Sequence, residues 1–221
     1  MMKAFSIDGP IYKFMTAISS AFLLTLCWLV GTLIGLGTTI GVSTVACCDV
    51  GLKMVEGKEG YIVRQYIQAY KKNLRQGIPL GIIALVAFYT VYLDFEIFIK
   101  IENASIFLLM WGFLSCAIFF CCFVYAFPLC ARYENTLMNT IKNSFRISIR
   151  YYGRTVLMAI CIVVVILAFQ WNLTTMLIGL IIGPAAIVTI ICGFSMPIFR
   201  KIQKQNTEDG VETYRDEDSD Q

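Results

Sequence analysis

Apolar residues fall in long blocks along this chain. Five blocks are almost uninterrupted and cover approximately residues 17–42, 78–93, 106–130, 155–169 and 174–199. A helix needs about 20 apolar residues to cross a hydrocarbon layer about 30 Å thick, and shorter blocks use flanking residues or thin the bilayer. The pattern predicts an all-α integral membrane bundle of about five transmembrane helices, in one domain formed by residues 1–205.

Two segments between the blocks have the periodicity of amphipathic helices. In 59–77 the predicted apolar face comprises Ile62, Val63, Tyr66, Ile67, Tyr70 and Leu74. The opposing stripe comprises Arg64, Gln68, Lys71 and Arg75, with Lys72 beside it. In 131–154 the predicted apolar face comprises Leu137, Ile141, Phe145 and Ile149, next to Lys142, Arg146 and Arg150. The first helix is expected to run directly into the second span at Pro79.

Positive charge is distributed unequally between the two sides that five spans would create. Of the 18 Lys and Arg residues, all but Lys3, Lys13 and Lys100 lie in the segments 43–77 and 131–154 or after residue 199. Lys/Arg-rich loops stay in the cytoplasm. We therefore expect a plasma-membrane protein with its N-terminus outside, its C-terminus in the cytoplasm and both amphipathic helices on the cytoplasmic side.

These basic helices suit two kinds of partner. One is the membrane itself, with basic side chains among anionic headgroups, each worth about 1 kcal/mol. The other is a cytoplasmic protein. Periodicity alone leaves both open, whereas the membrane context argues against nucleic acid. Residues 206–221 are acidic and contain almost nothing apolar, which predicts a disordered tail.

Small residues and prolines suggest how the spans pack. Three Gly-x-x-x-Gly pairs occur: Gly31/Gly35, Gly37/Gly41 and Gly179/Gly183. Such pairs let helix backbones approach closely, either between subunits of a homo-oligomer or, as we favour, inside one bundle. Pro128 and Pro184 are predicted to kink the third and fifth spans.

Composition gives no support to an enzyme. The 221 residues are 58% hydrophobic and 15% charged, and His is absent, which excludes Ser-His-Asp triads and His-based metal helices. We expect no metal and no cofactor. The five blocks contain no ionisable Asp, Glu, Lys or Arg, which argues against proton-coupled transport. The Cys47-Cys48 pair could be a thiol-modification site, but apolar filling near a helix end is the favoured interpretation.

Several short motifs, in order, resemble the YesL-like family of bacterial membrane proteins. They are Asp8-Gly9-Pro10-Ile11-Tyr12, Trp28, Thr39-Ile40-Gly41, Leu52-Lys53-Met54-Val55, Glu59-Gly60, Tyr66, Lys72-Asn73 and Phe127-Pro128-Leu129. The resemblance covers approximately residues 5–200. The family tends to carry a proline shortly before Thr-Ile-Gly, whereas this chain has Leu36-Gly37. A break there would come from Gly35 and Gly37 and be softer.

The resemblance implies a biological setting and no catalytic residues, because the family's biochemical function is not established. Its members are typical of Gram-positive bacteria and often accompany ABC-type carbohydrate uptake systems and their sensor kinases. The leading hypothesis is a non-enzymatic accessory or scaffolding protein of carbohydrate uptake or its signalling. The alternative is a small oligomeric transporter or channel. A more distant third hypothesis is an intramembrane enzyme with a nucleophilic cysteine at Cys47, Cys48 or Cys130.

Overall fold

Helices account for every regular element among the residues that the structure describes. The structure is a computed structural model, which describes residues 10–208 except 36, 59 and 102–104. The helices are α1 Pro10–Ile34, α2 Ile40–Val55, α3 Ile62–Lys100, α4 Ile106–Phe123, α5 Ala126–Arg132, α6 Leu137–Arg150, α7 Tyr152–Phe169 and α8 Leu173–Glu208. The all-α prediction is confirmed. Predictions for Lys3, Asp8-Gly9 and the acidic tail from residue 209 onward lie outside the described residues.

Four helical segments are long and apolar enough to cross a membrane. They are Ile62–Lys100, Ile106–Arg132, Tyr152–Phe169 and Leu173–Lys204, and Ser19–Ile34 in α1 is a shorter apolar segment. These segments overlap the five apolar blocks of the sequence in order. The chain is therefore a helical membrane protein, and the count of five spans remains a prediction for α1.

The first apolar block is not a single helix, which corrects the predicted span 17–42. Helix α1 ends at Ile34 and α2 begins at Ile40. Between them Gly37 has a φ of +88°, in the left-handed region that glycine adopts without steric cost. The Thr39 hydroxyl donates to the Gly31 carbonyl at 2.8 Å and holds the turn together. Gly35 and Gly37 thus belong to a turn and not to a helix-packing face.

Helix α2 lies at the centre of the fold. It packs against α1, α3, α5 and α8, and ten of its residues are buried: Gly41, Val42, Ser43, Val45, Ala46, Cys47, Cys48, Val50, Gly51 and Leu52. Most of these side chains are small. The surrounding helices can therefore approach α2 closely on several sides.

The closest approach in the fold joins α2 to α3. A Cβ atom built on Gly41 would meet the carbonyl oxygen of Gly77 and the Cα of Gly81, and one built on Gly81 would lie 2.6 Å from the Gly41 Cα. Backbone atoms cannot rotate away as a side chain can. Glycine is therefore required on both helices at this crossing, where dispersion between the backbones stabilises the contact.

Gly41→Ala is expected to destabilise the folded protein by about 1–3 kcal/mol, because the added methyl group forces α2 and α3 apart. Unfolding in detergent, followed by circular dichroism, measures the change. Gly193→Ala is the matched control, because Gly193 also lies within a helix and a Cβ there meets nothing within 4 Å. A Gly41→Ala protein as stable as the Gly193→Ala protein would contradict the close crossing.

Two zones divide the molecule. In the packed zone, α2, the first half of α3, α5, α6 and the second half of α8 share buried side chains. In the apolar zone, large hydrophobic side chains are exposed from Ile82 in α3, through most of α4 and α7, and up to Ile181 in α8. Exposed side chains of this kind on helices of spanning length are those that face lipid.

The prolines differ in whether the helix around them is interrupted. The third predicted span is interrupted shortly before Pro128, because α4 ends at Phe123 and α5 begins at Ala126. Pro128 then occupies the first turn of α5, where a missing N–H group costs little. Helix α8 continues through Pro184 and Pro197, and α3 continues through Pro79.

Candidate functional site

The first half of α3 has one buried face and one basic face. The buried positions are Tyr66, Ala69, Asn73 and Gly77. The opposite face exposes Arg64, Gln68, Lys71 and Arg75, which we call the α3 basic stripe. Lys72 is exposed beside it. All of these residues belong to the same uninterrupted helix as the apolar segment that follows.

The inner face of this half-helix is fixed by tyrosine hydroxyl groups. The hydroxyls of Tyr66 and Ser43 are hydrogen-bonded at 2.6 Å, and Ser43 also donates to the Trp28 carbonyl at 3.0 Å. Tyr70 donates to the Gly31 carbonyl at 3.1 Å. These bonds tie α3 to α1 and α2, so the stripe on the opposite face has a fixed direction.

The predicted apolar face of 59–77 is divided in the structure. Tyr66 is buried, whereas Val63 and Ile67 are 46% and 48% exposed and Leu74 is 36% exposed. The exposed apolar side chains follow one another on the helix between the buried face and the basic stripe. Periodicity identified the amphipathic helix but could not show which apolar residues meet protein.

Helix α6 packs on the protein mainly through residues outside its predicted apolar face. Its buried residues are Thr140, Ser144, Ile147 and Ser148. In contrast, Phe145 and Ile149, from the predicted apolar face, are 38% and 59% exposed. Leu137 and Ile141, from the same predicted face, are partly buried and pack against the core. The predicted apolar face of α6 is therefore divided between protein and the exterior, as it is in α3.

Two serines explain why this face of α6 is buried. Ser144 and Ser148 donate to the carbonyl oxygen of Cys121 at 3.1 Å and 2.9 Å. Cys121 lies in the last turn of α4, where backbone carbonyls lack an intrahelical partner. The serines satisfy that partly buried acceptor and attach α6 to the end of α4. Helix α6 carries three cations, and all of them are exposed: Lys142, Arg146 and Arg150.

An ion pair that the sequence did not reveal links three helices of the packed zone. Arg132, at the end of α5, donates to the carboxylate of Glu56 at 2.9 Å and to the Met196 sulfur of α8 at 3.2 Å. Glu56 caps α2. The side chains of Arg132 and Glu56 are only 9% and 16% exposed. Because the partners are 76 positions apart in the sequence, no local spacing could have indicated the pair.

Glu56→Gln is expected to destabilise the protein by about 3 kcal/mol, because the mostly buried Arg132 guanidinium loses the carboxylate that pairs with it at 2.9 Å. Detergent unfolding followed by circular dichroism measures the loss. Glu96→Gln is the control, because Glu96 pairs with a Lys100 side chain that is 72% exposed and solvent weakens such a pair. Equal stability of the two variants would show that the Arg132–Glu56 pair contributes no more to the free energy of unfolding than the exposed Lys100–Glu96 pair does.

The vicinal cysteines are poorly suited to nucleophilic chemistry. Cys47 and Cys48 are 2% and 1% exposed. Burial is the main cause that raises the pKa of Cys47, and a hydrogen bond with the Cys192 thiol, followed by burial, raises the pKa of Cys48. Both thiols are therefore protonated at neutral pH, and the nucleophile would be the thiolate. Cys130 is buried as well.

The remaining glycines of the predicted packing set contact their own chain. A Cβ atom on Gly31 would meet the hydroxyl groups of Tyr66 and Ser43, and one on Gly179 would lie 2.6 Å from Phe169 of α7. A Cβ on Gly183 would lie 3.9 Å from Phe169, an ordinary contact distance. Gly31 and Gly179 thus lie where helices of one chain approach each other closely.

Comparison with known proteins gives a partial match to one family, whose activity is not known. Residues 21–95 match the model of a family described as a protein of unknown function, DUF624. The matched segment is less than half of the chain and extends from within α1 to the apolar part of α3. It is consistent with the YesL-like resemblance. No curated protein matches the chain, and no solved structure matches it.

Proposed function

We propose that this chain is a non-enzymatic accessory protein of the membrane that docks an acidic cytoplasmic partner on the α3 basic stripe. The observation that carries the proposal is the presentation of Arg64, Lys71 and Arg75 on a face that is exposed while the opposite face is hydrogen-bonded to α1 and α2. A surface that does not have to be ordered on binding costs less conformational entropy when a partner docks.

The length of α3 supports a partner outside the membrane. Its 39 residues extend about 58 Å, whereas a bilayer including its headgroups is about 40–45 Å thick. The charge-free stretch 76–93 matches the hydrocarbon layer. Arg75 then lies next to the headgroups, and Arg64 lies about 18 Å from the start of that stretch, at 1.5 Å per residue. A stripe of that extent reaches beyond the headgroups into water.

The orientation that we propose for the chain follows from the clustering of its basic segments. The segments 53–75, 131–154 and 200–204 all adjoin the packed zone, since Arg132 contacts both Glu56 and Met196. Lys100 lies at the other end of α3. Lys/Arg-rich ends remain in the cytoplasm. We infer a bacterial plasma-membrane protein with the packed zone and the C-terminus inside and the N-terminus outside.

A fluorescent-protein fusion after Gln221 is expected to fluoresce, and an alkaline phosphatase fusion there is expected to be inactive. A phosphatase fusion after Ile101, at the opposite end of α3, is expected to be active, because export permits its disulfides to form. Activities normalised to fusion-protein abundance measure the outcome. The reverse pattern would overturn the orientation, and with it the cytoplasmic docking surface.

The class of partner is proposed from the YesL-like resemblance, whose members often accompany ABC-type carbohydrate uptake. We propose a permease subunit, its ATPase or a sensor kinase of such a system. Each of these could offer a cytoplasmic acidic surface, which would pair with the stripe across water and so be sensitive to salt. Arg64, Lys71 and Arg75 are the residues by which the contact can be tested.

Replacement of Arg64, Lys71 and Arg75 by Gln is expected to abolish partner capture, because the change removes three charges from the exposed face of α3. Cross-linking in native membranes, followed by purification and mass spectrometry, measures capture of a carbohydrate-uptake component. The matched control replaces Lys142, Arg146 and Arg150 by Gln, which removes the same charge from α6. Capture should persist in this control, and membrane insertion should persist in both variants.

Two outcomes would contradict the proposal. The first is a solitary monomer after cross-linking in cells grown on many sugars. The second is equal capture by the wild-type protein and the α3 variant. Flux of a sugar or an ion through vesicles that contain only this protein would instead support the alternative function, a small oligomeric transporter or channel.

A further inference from the structure

We propose that α6 is a binding site for the anionic leaflet of the bilayer, and that it performs a different task from the α3 basic stripe. Around α6 three faces follow in order. Thr140, Ser144, Ile147 and Ser148 are buried against the protein. The next face exposes Met138, Phe145 and Ile149, and the third exposes Lys142, Arg146 and Arg150. An exposed apolar face beside a basic face fits the boundary between acyl chains and headgroups.

The apolar face of α6 continues into the lipid-facing surface of the protein. Tyr152, the first residue of α7, is 72% exposed, and Val156, Leu157 and Ile160 after it are 37%, 52% and 54% exposed. These residues follow α6 directly in the chain and belong to a helix of spanning length. Because hydrocarbon covers the start of α7, we take lipid as the occupant of the adjoining apolar face of α6.

The backbone around α6 permits it to lie at an angle to the spans. Tyr151, between α6 and α7, has φ −113° and ψ 39°, outside the helical region. Tyr133 and Thr136, which precede α6, are extended. Helix α3, in contrast, passes from its basic half to its apolar half without interruption. Of the two basic helices, α6 is therefore the separate segment, which can lie along the membrane surface.

Charge identifies the kind of lipid. Lys142, Arg146 and Arg150 recur at four-residue intervals and so lie on one face of the helix. Three cations at headgroup level attract an anionic lipid such as phosphatidylglycerol and gain little from zwitterionic phosphatidylcholine. The serine bonds to Cys121 fix the rotation of α6, so that the basic face and the apolar face meet the headgroup and acyl layers together.

Hydrogen exchange of the full-length protein in nanodiscs tests this assignment. One set of discs contains phosphatidylcholine alone and the other a mixture of phosphatidylcholine and phosphatidylglycerol. Amides of α6 are expected to exchange about fivefold or more slowly in the anionic discs, the effect of at least one basic side chain near an anionic surface. High salt should reduce the difference by screening. Equal exchange at α6 in the two kinds of disc would overturn the proposal.

Two sets of variants separate the contributions of the two faces. With Lys142, Arg146 and Arg150 replaced by Gln, the dependence on phosphatidylglycerol should disappear, while with Arg64, Lys71 and Arg75 replaced by Gln it should remain. Ile149→Asn should speed exchange at α6 in both discs, because a polar group then enters the acyl layer; no effect would mean that this face meets water. Unchanged exchange in buried α2 confirms that each variant is folded.

Discussion

The crossing of α2 and α3 at Gly41, Gly77 and Gly81 is the contact on which the rest of the fold depends. It brings two backbones together without intervening side chains, and α2 then becomes a small-residue centre that α1, α5 and α8 surround. Because Tyr66 and Tyr70 lie on the same half of α3, the crossing also brings their hydroxyl groups within reach of Ser43 and Gly31. A wider separation would remove those bonds and the fixed direction of the basic stripe.

The helical class and most of the spanning segments could be predicted from the sequence, because apolar blocks of spanning length have few other solutions in a protein. The interruption of the first block could not be fixed by hydropathy, since the apolar block resumes at Ile40 and Val42 after Gly37. Its signal was conformational: a glycine that can adopt positive φ where the chain must turn. The turn ends α1 before the predicted end of the span, and residues 40–42 begin the buried helix α2 instead.

The candidate surfaces were only partly predictable for a related reason. Periodicity gives the faces of a helix, and all seven basic side chains at issue are exposed, in α3 and in α6. It does not show which face meets protein. In α6 the face that packs on the protein is determined by Ser144 and Ser148, whose hydroxyl groups donate to a carbonyl oxygen at the end of α4. An unsatisfied buried carbonyl costs more than exposed apolar side chains do when lipid is the surrounding solvent. Long-range pairs such as Arg132–Glu56 leave no local signal at all.

The two basic helices, similar in sequence pattern, differ in how each is joined to its span. Helix α3 has no non-helical residue between its basic half and its apolar half, and Pro79 lies within the continuous helix. Helix α6 is bounded by non-helical residues at both ends and keeps an apolar face outward. We propose that this difference, more than the number of charges, makes α3 available to a protein partner and α6 available to lipid.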